Sequence, residues 1–160
     1  MRQDIASVFA RCERVRAGLV IGFSDETLNV LKSNRPGVWM SVPLEDELLF
    51  DDSQFDVVIL HPDGVNKALI REVNRILKPD GFLFFTVNER TRKQDGFTAQ
   101  EIYGIIREGF DILELKSPKW WLFGLAGRTL TVCARKKAWR EHKSFIREGS
   151  LPFTPFRSRP

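Results

Sequence analysis

The sequence predicts one α/β domain with a mostly parallel sheet of about six strands and an antiparallel hairpin at its carboxyl-terminal end. Three observations predict this fold class. Short apolar runs rich in β-branched residues alternate with segments whose apolar residues recur every three or four positions. Residues 55–87 hold strand, helix and strand patterns in immediate succession, as a βαβ unit does. The chain has 160 residues, 42% of them hydrophobic, which suits one domain with a substantial core.

The central unit begins with the apolar run Phe55–Leu60, which is typical of a strand covered on both faces. A helix is predicted next, and Pro79 disfavours the helical conformation for the residue before it. We expect Gly81 to take the positive φ of a reversal after this helix, and Phe82–Val87 to form the second strand. The apolar stripe of the helix consists of Val65, Leu69, Ile70, Val73, Ile76 and Leu77.

Two helices and two strands are predicted before this unit. Leu19–Phe23 is a short apolar strand, and Ser24 is a favourable N-cap for the helix that carries Leu28 and Leu31 on its core face. Val38–Val42 is the next strand. The first helix is expected to lie on the sheet through Ile5, Val8, Phe9, Cys12 and Val15.

The helix predicted after the unit has clear start signals. Thr98 and Glu101 have the spacing of a capping box, and Phe97 and Ile102 have that of a hydrophobic staple. Gly109 is expected to end this helix. These devices stabilise the fold and carry no chemistry.

The last two predicted strands, Phe110–Leu115 and Thr129–Arg135, are expected to pair antiparallel. The connection between them contains Trp120, Trp121 and Phe123, which either fold back over the end of the sheet or form an exposed patch for a partner. Packing on the core is the favoured alternative, because large aromatic residues are usually buried.

The positive charge of the chain is concentrated at its carboxyl-terminal end. Residues 135–160 hold eight basic and two acidic residues, a net +6, which leaves −2 for the rest of a chain whose net charge is +4. We therefore divide the chain into a folded domain, residues 1–139, and a basic, aromatic tail, residues 140–160. In the tail, Phe153, Phe156 and Arg157 suit docking on a protein partner or self-association better than binding of nucleic acid.

Location and metal binding are constrained by what the sequence lacks. No apolar run is long enough to span a membrane, and the first residues do not have the build of a signal peptide, so a cytoplasmic location is expected. Cys12 and Cys133 have no neighbouring His or Cys at metal-ligand spacing. We expect two buried thiols and no metal site.

A family resemblance follows from residues 24–60 and the later REVNRILKPDGFLFF. These segments resemble class I S-adenosylmethionine-dependent methyltransferases, whose sequences often show FDVV and LKPGG runs in this order. The resemblance covers roughly residues 20–136 and implies a reduced Rossmann-like methyltransferase fold. It also implies S-adenosylmethionine as the cofactor of active members. The amino-terminal domain of anamorsin is similar in pattern and implies a module used for partner binding.

The cofactor-binding features implied by the resemblance are missing from this chain. In the family, a glycine-rich loop follows the first strand and an acidic residue ends the second. If LVIGF is the first strand, residues 22–26 stand where the loop should be, with Gly22 as their one glycine and Ser24 as the cap of the next helix. Glu45 is the nearest carboxylate to the second strand. A second alignment places SDETL after the family's second strand, which removes the first strand and the loop altogether.

His61 is the only candidate for a catalytic role. It follows the central strand at the carboxyl edge of the predicted sheet, where ligands and catalytic groups gather in open α/β folds. An imidazole there is able to act as a general base. No acid partner is identifiable from the sequence, so a loop histidine without a catalytic role is the favoured interpretation.

The expected function is that of a degenerate methyltransferase-like domain that acts as a non-catalytic binding or regulatory subunit, with no cofactor. The alternative is an active methyltransferase with a divergent site for S-adenosylmethionine. Fold class alone does not decide between them.

Overall fold

A computed structural model describes residues 15–34, 36–45, 47–92, 94–116 and 129–138. In these residues it contains six strands, three α-helices and one short 3-10 helix. The strands are β1 (Ala17–Ile21), β2 (Val38–Val42), β3 (Phe55–Leu60), β4 (Leu77–Asn88), β5 (Phe110–Lys116) and β6 (Thr129–Lys136). The helices are α1 (Asp25–Asn34), the 3-10 helix Pro62–Gly64, α2 (Lys67–Ile76) and α3 (Ala99–Ile106).

All six strands form one sheet in the order β2-β1-β3-β4-β6-β5. The pairs β2/β1, β1/β3 and β3/β4 are parallel, whereas β6 runs antiparallel to both of its neighbours, β4 and β5. This confirms the predicted mostly parallel sheet and its closing antiparallel hairpin.

The sheet has a hydrophobic core on each face. On one face, α2 and α3 cover the sheet through buried residues such as Leu69, Val73 and Ile102. On the other face, Leu28 and Leu31 of α1 pack against the strands, as predicted, together with Phe84 of β4. Cys133 also lies in this second core, where it is 4% exposed, as expected for a buried thiol.

The junction between α2 and β4 differs from the prediction. The helix starts after its N-cap Asn66, whose side-chain oxygen accepts a hydrogen bond from the amide of Leu69 at 2.8 Å. It ends at Ile76, and β4 begins at once with Leu77. The positive φ belongs to Asp80, at 61°, so its assignment to Gly81 was wrong. Asp and Asn tolerate this conformation better than most residues, because their short side chains bond locally.

The start signals of α3 are confirmed. The Thr98 hydroxyl accepts a hydrogen bond from the amide of Glu101 at 3.2 Å, and the Glu101 carboxylate accepts one from the amide of Thr98 at 2.8 Å. Phe97 and Ile102 join the same hydrophobic core, as expected for a staple. The helix ends at Ile106, and Gly109 follows after one turn.

Two charged side chains fasten loops to the amino edge of the sheet. Asp56 of β3 accepts hydrogen bonds from the amides of Arg16 and Ala17 at 2.9 and 2.8 Å and pairs with Lys78 at 2.7 Å. Arg75 of α2 donates to the carbonyls of residues 48 and 50 at 2.9 and 2.7 Å. The Arg75 contacts fix the connection from β2 to β3 against the end of α2.

Several predictions lie outside the described residues. They concern the first helix with Cys12, the aromatic connection in residues 117–128 and the tail in residues 140–160. The boundary between domain and tail at residue 139 therefore stays a prediction. No helix among the residues with a described structure is long and apolar enough to cross a membrane.

Candidate functional site

The chain order of the sheet reverses between β1 and β3. From β1 the chain passes to β2 on one side, and from β3 it passes to β4 on the other. Open α/β sheets bind ligands outside the carboxyl ends of the strands at such a reversal. In this chain Gly22 follows β1 and His61 follows β3, and the His61 amide donates a hydrogen bond to the Ile21 carbonyl at 3.0 Å. Both alignments to the family place β1 beside β3, so this sheet order fits either of them.

The turn from β1 to α1 is very short. Gly22 has φ +79°, and its amide donates to the Val42 carbonyl of β2 at 2.9 Å. The Ser24 carbonyl already accepts a hydrogen bond from the amide of Leu28 at 3.3 Å, which places Ser24 at the predicted N-cap position. Only Gly22, Phe23 and Ser24 therefore separate the strand from the helix, too few residues for a backbone cradle around a cofactor.

The chain's own side chains fill the space beside Gly22. A Cβ built on this glycine would lie 2.9 Å from the Cβ of His61 and 3.4 Å from the Cβ of Leu44. The first of these distances is shorter than carbon atoms in proteins tolerate. The positive φ and the Cβ of His61 therefore require glycine here, without any bound ligand.

The carboxyl end of β2 does not supply an acidic residue to this space. Leu44 follows β2 and reaches toward Gly64 as well, since its Cδ1 is the nearest atom to the position that a Cβ on Gly64 would take. Glu45, the sequence candidate for a ribose ligand, is exposed. The Leu44 side chain, which is 41% exposed, thus lies beside both glycines.

His61 is held by three contacts. Its Nδ1 accepts a hydrogen bond from the amide of Asp63 at 3.3 Å, and its ring meets the ring of Phe23 edge-on at a centroid distance of 5.0 Å. The Asp63 carboxylate lies 3.5 Å from the same nitrogen, an acid partner that the sequence analysis did not identify. Nδ1 therefore faces both a hydrogen-bond donor, the Asp63 amide, and an acceptor, the Asp63 carboxylate.

A pocket of about 310 Å³ has His61 and Phe23 in its lining. Its apolar walls include Phe23, Ile59 and Phe84, and its lining does not include Gly22, Leu44 or Glu45. The pocket is therefore distinct from the filled space at the reversal of the sheet. The polar part of the lining comes from Thr27 of α1, Thr86 and Asn88 of β4, and Thr129 and Thr131 of β6.

The polar end of the pocket comes from the pairing of β4 with β6. Thr86 stands opposite Thr131 in the antiparallel register, and their Oγ1 atoms lie 3.4 Å apart. Asn88 stands opposite Thr129 one step further on. Sequence analysis missed these residues, although Phe84 and Thr86 alternate along the predicted strand Phe82–Val87, which in the structure extends to Asn88.

The pocket lining lacks charged groups that could hold a metal or an ionic ligand. Among the described residues that line it, none is Asp, Glu, Lys or Arg. No cluster of three or more His, Cys, Asp or Glu side chains occurs in the described part of the chain. The predicted contact residues Trp120, Trp121, Phe123, Phe153, Phe156 and Arg157 lie outside the described residues.

Solved structures share this architecture. The 1,6-didemethyltoxoflavin-N1-methyltransferase of Burkholderia thailandensis, solved with S-adenosylhomocysteine, is 19% identical, has a TM-score of 0.62, and is matched over 85% of this chain and 77% of its own. This chain has a class I methyltransferase-like fold. No protein-family model and no curated protein matches its sequence.

Two further neighbours of this methyltransferase-like domain differ in what their names state. The [4+2]-cyclase SpnF is 16% identical at a TM-score of 0.63, with 86% of this chain and 80% of its own covered. A Haloferax volcanii protein bound to the Trm112 methyltransferase activator is 16% identical at a TM-score of 0.59, over 84% and 89% of the two chains. At such identities the likeness establishes the fold and leaves the activity open.

Proposed function

We propose that this methyltransferase-like domain does not bind S-adenosylmethionine in the manner of the family and acts as a non-catalytic binding or regulatory subunit. The observation that carries the proposal is the filled space at Gly22, where the Cβ of His61 and the side chain of Leu44 stand. A cofactor atom at the position of a Cβ on Gly22 would clash with the Cβ of His61 and would contact Leu44.

The missing contacts add to this steric argument. An acidic residue that grips the ribose makes charge-assisted hydrogen bonds, and losing one such contact costs about 1.5–3 kcal/mol, or roughly ten- to a hundredfold in affinity. At the end of β2 the corresponding region carries Leu44, and Glu45 points to solvent. Loss of the ribose contact and of the glycine loop together removes two main sources of cofactor affinity.

The neighbouring pocket does not replace the lost site. S-adenosylmethionine carries a sulfonium, an amino group and a carboxylate, and a buried charge without a partner is strongly unfavourable. The described lining residues offer threonine hydroxyls, the Asn88 amide and the His61 imidazole, but no carboxylate and no fixed cation. This composition supports a ligand other than the family's cofactor.

One observation favours the alternative, an active methyltransferase with a divergent cofactor site. The pocket lies at the carboxyl ends of β3 and β4, beside the reversal of the sheet where ligands of this architecture bind. If the alternative is correct, S-adenosylmethionine enters from this side and His61 is the nearest candidate for a general base.

Thermal unfolding with and without S-adenosylmethionine separates the two. A ligand at a hundred times its dissociation constant adds about 2.7 kcal/mol, which raises the midpoint by several degrees in a domain of this size. The Burkholderia methyltransferase in the same buffer is the positive control. The proposal expects no shift for this chain, and a saturable rise would establish the alternative.

The partner is proposed to be a protein that contacts the tail, residues 140–160, or the aromatic connection in residues 117–128. The composition of these segments supports this, and a neighbouring structure shows that the fold is able to bind an activator protein. Deleting the residues after Trp139 should change the oligomeric state or remove co-purifying proteins, measured by light scattering and mass spectrometry. Unchanged assembly with a lower melting temperature would indicate that the tail packs on its own domain.

A further inference from the structure

We propose that the pocket between α1, β4 and β6 binds an uncharged aromatic small molecule that carries one hydroxyl or carbonyl group. The pocket has a volume of about 310 Å³, at the lower end of the range for small-molecule sites. The inference rests on the proposed function in one respect, because it treats the pocket as separate from any cofactor site.

The walls of the pocket suit an aromatic ring. Phe84, at 3% exposure, forms a rigid apolar surface together with Ile59. Phe23 stands at the entrance and is held by its edge-on contact with His61. Aromatic rings favour such edge-to-face and offset arrangements over contacts of arbitrary geometry. A planar ligand would therefore contact preformed surfaces on two sides.

The polar end of the pocket sets the second requirement. When the hydroxyls of Thr86 and Thr131 bond to each other, one hydrogen stays available for donation and lone pairs stay available for acceptance. The pair is thus able to bind a hydroxyl or a carbonyl of a ligand. His61 also lines the pocket and adds an imidazole to its hydrogen-bonding side chains. One hydrogen-bonding group on the ring system matches this arrangement.

The same lining selects against charged molecules. Among the described lining residues His61 is the one titratable side chain, and its Nδ1 is engaged by the amide of Asp63. A carboxylate or an ammonium group in the pocket would lose its water without gaining a counter-charge. The expected ligand class is therefore neutral.

Three naphthalene derivatives test these features in the full chain at pH 7. The probe 2-naphthol has the ring and the hydroxyl, naphthalene lacks the hydroxyl, and 2-naphthoate replaces it with a charge. Binding is measured by titration followed through ligand fluorescence and backbone amide NMR shifts. We expect saturable binding of 2-naphthol, weaker binding of naphthalene and no binding of 2-naphthoate, with shifts centred on Thr86 and Thr131.

Three variants locate the site. Thr131→Val keeps the shape but removes the hydroxyl, and should weaken 2-naphthol about three- to tenfold, the effect of one hydrogen bond. Thr131→Ser keeps the hydroxyl and should restore most of the affinity. Thr27→Trp, on the partly exposed face of α1, should fill the pocket and abolish binding while the melting temperature is retained.

The outcomes separate this inference from the proposed function. If 2-naphthol does not bind the wild-type chain, or binds the Thr27→Trp and Thr131→Val variants equally well, the inference is wrong and the proposed function is untouched. If S-adenosylmethionine competes with 2-naphthol, both are wrong, because the pocket then accepts the charged cofactor.

Discussion

The glycine at the end of β1 gives the sharpest test of the claim that the chain fills its own cofactor space. Gly22→Ala introduces a Cβ at φ +79°, where L-residues other than Gly lose about 1–2 kcal/mol. The new Cβ also meets the Cβ of His61 at 2.9 Å, and overpacking of this kind costs about 1–3 kcal/mol. We therefore expect a loss of about 2–5 kcal/mol in the free energy of unfolding.

A double-mutant cycle separates the two contributions. His61→Gly removes the opposing Cβ, so in that background Gly22→Ala should cost only the backbone strain. The coupling energy should then be about 1–3 kcal/mol, well above the roughly 0.3–0.5 kcal/mol scatter of independent sites. Urea denaturation measures all four free energies. Gly104→Ala is the matched control, because nothing lies near this glycine of α3 and alanine is the better helix former.

Additive behaviour of the two substitutions would refute this reasoning. It would mean that the space beside Gly22 is open enough to accept a methyl group. A ligand could then lie against the turn, and the main support for the proposed function would be lost. A stabilising Gly22→Ala would have the same consequence.

Three further predictions concern the scaffold around the site. Arg75→Met keeps the apolar stem but removes the hydrogen bonds that Arg75 donates to the carbonyls of Leu48 and Phe50, of which the Leu48 carbonyl keeps the Phe50 amide as a donor. The substitution should cost about 1–3 kcal/mol in urea denaturation and increase amide exchange in residues 47–54. Burial alone would raise the pKa of Asp56. The hydrogen bonds from Lys78 and from two backbone amides outweigh this effect, so the pKa lies below its ordinary value. The stabilisation by ionised Asp56 is therefore complete above about pH 5 and is lost as the pH falls through the pKa of the folded state. The difference in free energy of unfolding between wild type and Asp56→Asn should shrink below pH 4. A difference that persists unchanged at pH 2 would show that the charge of Asp56 is not its source. Thr98→Ala should cost about 1 kcal/mol through the lost N-cap, with Thr98→Ser as the conservative control.

The scaffold was predictable because its signals are local. The strand patterns, the capping box of Thr98 and Glu101, and the antiparallel hairpin all follow from spacing within short segments. The junction after α2 was less predictable, since Asp80 and Gly81 are both able to adopt a positive φ and only the register with β3 decides between them.

The site was predictable only in part, because it depends on which residues the sheet brings together. The shortness of the turn at Gly22 is visible in the sequence, and so is the absence of a glycine loop. The insertion of Leu44 beside Gly22 and Gly64 is not, since these residues are far apart in the chain. The facing hydroxyls of Thr86 and Thr131 likewise depend on the strand register.

Truncation of the Leu44 side chain is a final test, because the two functional alternatives predict different effects on cofactor binding. If S-adenosylmethionine binds beside Gly22, the leucine side chain must first move, and the apparent affinity is reduced by the small fraction of molecules in which it has done so. Leu44→Ala removes the Cδ1 atom, which lies nearest to the Cβ position on Gly64 and 3.4 Å from that on Gly22, and should then tighten cofactor binding, measured by isothermal titration calorimetry. Leu49→Ala, a truncation at a side chain that is 92% exposed, is the control and should change nothing. If the proposed function is correct, neither variant binds the cofactor, because the missing loop and the missing acid are not restored by making room.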